Sequence, residues 1–148
     1  TKNLTVHDVL TIASLVEKEG STDQDRKNIA SVFYNRLNQN MPLQSNIAIL
    51  YAQGKLGQKT TLSEDAAIDT NIDSPYNVYK NTGLMPGPVD NPSLSAIEAT
   101  VNPVKTDYLY FVANTETGKV YFATTYAEHE KNVQEHVNSK LTKPSSSN

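Results

Sequence analysis

The sequence contains no cysteine and no tryptophan in its 148 residues. The lack of cysteine excludes disulfides, thiol nucleophiles, redox dithiols and cysteine-ligated zinc, yet it leaves the compartment open, because extracytoplasmic domains can also fold without cysteine. An excess of positive charge is missing too: 13 Lys and Arg stand against 16 Asp and Glu, a net charge of -3, and the sequence pI is about 5.5. A binder of phosphate backbones needs a basic face to release counterions, so nucleic acid is not an expected partner. No run approaches the roughly 20 apolar residues of a membrane span. Gly-x-Gly-x-x-Gly, Walker and Gly-x-Ser-x-Gly patterns are also absent, which removes support for a nucleotide cradle or a serine-hydrolase elbow. His129 and His136 lie two turns apart on a polar stretch with no second ligand pair, and His7 falls in a first helical turn. No metal site is expected from them.

What is present points to one domain. Hydrophobic residues make up 37% and charged residues 20% of the chain, with a mean hydropathy of -0.51, which suits a modest core under a very polar surface. The first residues, Thr1, Lys2 and Asn3, include neither a start Met nor the apolar region of a signal peptide. They predict a domain excised from a longer protein, with any anchor or export signal upstream.

Local signals divide the chain into elements. Thr5 with Asp8 forms a capping box, Leu4 can staple to Val9, and Gly20 supplies the stop of a first helix. Thr22 with Asp25 opens a second helix, in which Ile29, Val32, Phe33 and Leu37 recur at helical spacing until Pro42 approaches. The two should pack as a hairpin. Residues 46–53 form a short apolar stretch ending at Gly54, and residues 63–68 read as one or two helical turns. Residues 71–92 hold Pro75, Gly83, Pro86, Gly87, Pro88 and Pro92. That many breakers predict a long loop, of the kind that often carries function.

Ser93 can cap a short helix through Val101. Residues 108–112 and 119–123, rich in Tyr, Phe and Val, flank a Thr-Glu-Thr-Gly turn that ends at Gly118, which predicts a β-hairpin. Residues 126–141 read as a surface helix with a thin apolar stripe at Val133 and Val137, and residues 143–148 as a disordered tail. The expected class is α+β: a helical domain over residues 1–142 with a small antiparallel sheet that includes the C-terminal hairpin.

Two stretches have the makings of a site. Residues 10–20 place Glu17 and Glu19 at the end of an otherwise apolar helix. At about 100° per residue both lie on margins of the apolar stripe and point roughly 160° apart, so at most one can act on a given bond. A Glu at such a margin is expected to have a raised pKa and to hold a proton for a leaving group; the plain alternative is a solvated helix end. The second is polar with aromatic faces: Tyr76, Asn77 and Tyr79 in one loop, and Gln44, Ser45 and Asn46 after the second helix. Tyr rings stack on sugar C–H faces while amides donate to and accept from hydroxyls, an inventory that suits a carbohydrate, although ordinary turn chemistry would use the same residues.

Residues 13–19, 30–37 and 41–45, followed in order by residues 74–79, 82–88, 102–103 and 108–113, resemble the catalytic domain of the endolytic murein transglycosylases, the YceG-like family. The resemblance implies a bacterial enzyme that cuts nascent peptidoglycan strands internally, between N-acetylmuramic acid and N-acetylglucosamine, with a 1,6-anhydro end as product and no cofactor. In that family the essential acid is the Glu of an Ala-Ser-x-Val-Glu-Lys motif, which falls on Glu17 here; spacing alone does not separate it from Glu19. Gln44, Tyr76, Asn77 and Tyr79 are then the candidate sugar-binding residues. The implied partners are glycan strands and cell-wall synthases, at the extracytoplasmic face of the cell membrane, with the membrane reached only through an upstream anchor.

Two segments depart from the family pattern. Asn46, Ile47 and Ala48 stand where Asp-Pro-Thr is usual, and Met85 replaces a Pro. The rival readings are a non-catalytic carbohydrate-binding module and a pyridoxal-phosphate lyase, the latter needing a Schiff-base Lys and a phosphate cradle for which no Lys here has the setting.

Overall fold

A computed structural model describes residues 4–54, 69–114 and 116–138. The helical turns expected at residues 63–68 and the tail at 143–148 lie outside the described residues. Helix α1 spans Val6–Glu19 and is capped by Thr5, whose side chain and that of Asp8 form the reciprocal capping box. Helix α2 spans Asp23–Asn38 behind the N-cap Thr22. The stop between them is Gly20, in extended rather than left-handed backbone. Its need for glycine is spatial: a Cβ there would meet Cδ1 of Ile29 at 2.8 Å.

The middle of α1 is buried all round, from Thr11 to Val16. That follows from its neighbours: α1 packs on α2, on α3 (Asn46–Ala52) and on α4 (Leu94–Val101). Ser14, inside this packing, donates to the carbonyl of Thr11 at 2.7 Å and accepts the N–H of Val89 at 3.1 Å, which pins the long loop to α1. Helix α4 begins at the predicted cap, Ser93. Ile12, Leu15, Ile29 and Phe33 are all fully buried in the core between these helices.

The hairpin is the described sheet. Strands β1 (Tyr110–Ala113) and β2 (Val120–Ala123) pair antiparallel, with Phe111 opposite Phe122. An isolated two-stranded hairpin is marginal in water, and here Phe33 of α2 packs edge-on against Phe111 at 5.8 Å. Asn114 closes the turn through its side-chain oxygen, which accepts the N–H groups of Glu116 and Thr117, with Gly118 at φ 77°.

Sequence patterning starts β1 two residues early and β2 one residue early; the chain just before β1 is held largely by side chains of α2. Ser31 bonds Thr106, the Asn35 amide donates to the carbonyls of Thr106 and Tyr108 at 2.9 and 2.8 Å, and Arg36 Nε donates to Leu109 at 2.6 Å. Helix α5 (Tyr126–Val133), with a capping box at Thr125, runs into a π-helical turn at Gln134–Asn138. There the His136 ring stacks on Tyr121 at 3.8 Å while its carbonyl accepts from Asn114 at 2.7 Å.

The grip of α2 on residues 106–109 is directly testable. Asn35→Ala leaves two part-buried carbonyls without their donor and lowers the unfolding free energy by about 2 kcal/mol in urea titration. A loss below half of that would mean that water replaces the amide.

Candidate active site

The end of α1 sends its two acidic side chains to different places. Glu17 turns toward the start of α4: one oxygen accepts the N–H of Ser93 at 2.8 Å and the other lies 3.6 Å from Arg26. The Ser93 hydrogen bonds, aided by the charges of Arg26 and Lys18, outweigh burial and hold its pKa below the usual carboxylate value. A raised pKa is the expectation for a Glu on an apolar margin. It fails at Glu17 because the Ser93 N–H at the start of α4 meets the carboxylate there and favours its charged form.

Glu19 turns the other way. Its carboxylate accepts the hydroxyl of Ser45 at 2.9 Å and lines a cleft of about 410 Å³ between the end of α1, residues 43–50, β1 and the start of α5. Gln44 lines this cleft in left-handed backbone, φ 56°, with its N–H on the carbonyl of Val78 at 3.0 Å. Tyr79 lines it as well, its hydroxyl donating to Asn46. Burial raises the Tyr79 phenol pKa, Glu19 adds to the rise, and Arg36 opposes it. The phenol therefore stays protonated and able to donate. Asn46, one of the departures from the family pattern, is thus the acceptor that orients this ring.

Arg36 borders the same cleft although it is only 6% exposed. Nη1 donates to the carbonyl of Pro42 at 2.6 Å and lies 3.4 Å from the side-chain oxygen of Gln44. Its guanidinium sits 5.0 Å from the centre of the Tyr110 ring. Tyr110 in turn packs on Tyr126 and His129, and all three line the cleft.

Two sequence candidates take other roles. Asn77 is fully buried. Its amide donates to the carbonyls of Thr70 and Ile72 at 3.0 and 2.8 Å, and its oxygen accepts from the N–H of Tyr79 at 3.0 Å. With its polar atoms committed to the loop, it positions Tyr79 and does not face a sugar. Tyr76 packs against Tyr51 at 4.8 Å, and the cleft-lining residues do not include it. Conversely, pattern reasoning singled out neither Arg36, Tyr110, Tyr126 nor His129 for the site. Only their tertiary neighbours reveal them.

A third acidic group lies within electrostatic reach of Glu17 and Lys18. Both carboxylate oxygens of Asp90 are buried without a hydrogen-bond partner. Burial and the charge of Glu17, partly offset by Lys18, push its pKa up to about 6. Asp90 therefore carries a proton under mildly acidic conditions, but its oxygens are shut off from solvent and cannot hand that proton to a substrate.

The sequence pattern of the YceG-like family matches residues 1–135. This chain belongs to that family. It is 72% identical over 140 residues to an endolytic murein transglycosylase of Streptococcus pneumoniae (strain D39), covering 95% of this chain and 25% of that protein. It is 49% identical to an endolytic murein transglycosylase of Bacillus subtilis, covering 95% and 37%. The crystal structure of a YceG-like protein from Listeria monocytogenes superposes with a TM-score of 0.77 at 52% identity, over 88% of this chain and 41% of that one. The chain thus spans about a quarter to two fifths of the length of these relatives.

Asn77→Ala should destabilise the domain by about 2 to 3 kcal/mol in chemical unfolding, since buried backbone groups lose their partners. Asp90 gives a pH signature. With its folded pKa raised from 3.8 to about 6, the folded state keeps a proton that the unfolded chain has lost, so stability falls as pH rises through that window. Asp90→Asn should match the parent at pH 4 and exceed it by about 1 kcal/mol at pH 8, the full electrostatic cost being reduced by solvent screening. Equal stability at both pH values would show that Asp90 ionises freely.

Proposed function

We propose that this chain is the catalytic domain of an endolytic murein transglycosylase, cutting peptidoglycan glycan strands between N-acetylmuramic acid and N-acetylglucosamine. The observation that carries this reading is a cleft in which Glu19 is the one acidic side chain among the described residues, hydrogen-bonded by Ser45 and flanked by Gln44 and Tyr79. A glycoside hydrolase ordinarily brings two carboxyl groups to the scissile bond. A single carboxyl group suits a reaction that needs no water.

Protonated Glu19 gives its proton to the glycosidic oxygen as the bond to C1 of the muramic acid breaks through an oxocarbenium-like state. The carboxylate then takes the proton of the 6-hydroxyl on the same sugar, and O6 attacks C1. A 1,6-anhydro end forms and Glu19 is protonated again, so atoms and charge balance. A hydroxyl already held beside C1 reacts at high effective molarity, which makes up for the missing nucleophilic carboxylate. Gln44 and the Tyr79 phenol hold sugar hydroxyls or acetamides. Glu17, which the family motif implies as the acid, is assigned a structural part at the start of α4.

The substrate sets the surroundings. Glycan strands lie outside the bacterial membrane, so the domain works at its extracytoplasmic face, tethered by a segment upstream, and the synthases that extend those strands are its partner class.

Incubating the chain with purified glycan strands and weighing the products tests the reading. The parent should release anhydro ends, Glu19→Gln should slow release about 1000-fold, and Glu17→Gln should stay within about threefold while melting at lower temperature. Loss of cleavage in Glu17→Gln alone would return the acid to that residue. Products that have gained water would mean a hydrolase, and binding without cleavage a carbohydrate-binding module.

A further inference from the structure

We infer that the cleft continues past the reacting carboxylate into a second sugar subsite, an aromatic platform formed by Tyr110, Tyr126 and His129, which takes an N-acetylated pyranose of the same strand. The inference rests on the glycan reading above.

The contacts order the cleft from one end to the other. Glu19 and Arg36 both act electrostatically on Tyr79, which therefore lies within reach of each. Arg36 lies over Tyr110 at 5.0 Å. Tyr110 then meets Tyr126 at 5.8 Å and His129 at 5.2 Å, the last pair stacked within 23°. The row thus leads from the acid to rings at the far wall.

Tyr126 is the telling member. It is 58% exposed, it contributes nothing to the core, and it lies edge-on to Tyr110 at 63°. Such a ring offers its C–H and π surface to a ligand, and the C–H face of a pyranose is its natural complement. The ring beneath is neutral: burial and the nearby Arg36 charge lower the pKa of His129, so it stacks as an uncharged imidazole. Arg36 is anchored to the carbonyls of Leu109 and Pro42, next in the chain to the cleft-lining Tyr110 and Leu43, and stiffens the row between the acid and the platform. A polymer seated at Glu19 would meet this platform next, and a short fragment bound at the acid would not reach it.

The test uses the chain carrying Glu19→Gln, so that bound sugar is not consumed, and titrates it calorimetrically with the β-1,4-linked hexamer of N-acetylglucosamine. Adding Tyr126→Ala should weaken binding about fivefold, whereas adding Tyr126→Phe, which keeps the ring, should leave it within twofold. Adding Tyr51→Ala removes a ring that is 40% exposed and lies outside the cleft-lining residues, and it should change nothing. An unchanged affinity in Tyr126→Ala overturns the subsite, as does an equal loss in Tyr51→Ala. Failure of the hexamer to bind any of these proteins overturns the glycan reading and the subsite together. Normal hexamer binding with no cleavage of purified glycan strands by the parent would sink the reaction while leaving the subsite standing.

Discussion

The structure depends on one buried cation. Arg36 sits in α2 at 6% exposure, and the ion pairs found among the described residues do not involve it. Its charge is met by carbonyl oxygens: Leu109 at the entry to β1 and Pro42 in the segment leading to Gln44. Burial lowers its pKa, but a guanidinium starts so high that it remains charged. A neutral residue could fill the volume, but it could not hold two carbonyls from chain segments almost seventy residues apart. Hairpin, α2 and the Gln44 segment are thereby fixed as one frame, and the cleft is the gap that this frame leaves open.

Helix geometry then divides labour between two carboxylates two residues apart. One turn of α1 directs Glu17 to the N–H of Ser93 and Glu19 to the hydroxyl of Ser45. The first environment favours the charged form through a backbone donor at a helix start. The second faces a cleft bordered by aromatic rings and amides. Identical side chains on one helix thus meet different partners, set by what packs opposite them and not by the helix itself.

Much of this architecture is legible in the sequence where the signal is local. Thr5, Thr22 and Ser93 cap their helices as their spacing predicts, and the Tyr-rich hairpin closes at Gly118 as expected. Gln44 and Tyr79 were also readable as cleft residues from their polar, aromatic setting. What escaped detection depends on partners distant in the chain. Asn77 looks like a sugar ligand by residue type, and only the carbonyls of Thr70 and Ile72 show it to be a loop staple. Asp90 looks like an ordinary loop carboxylate until Glu17 and the burial around it are known. The split between Glu17 and Glu19 belongs to the same class, since periodicity gives directions on a helix but not what waits there.

Gln44 carries a consequence for how this site can change over time. Its left-handed backbone, φ 56°, is a conformation that glycine adopts freely and a side-chain-bearing residue adopts at a cost of about 1 kcal/mol or more. A glycine at this position would relax the turn and strengthen the fold, yet it would remove the amide that reaches toward Arg36 and the cleft. Selection for stability and selection for a shaped cleft therefore pull in opposite directions at this one residue. The glutamine present here serves the cleft at the expense of the turn.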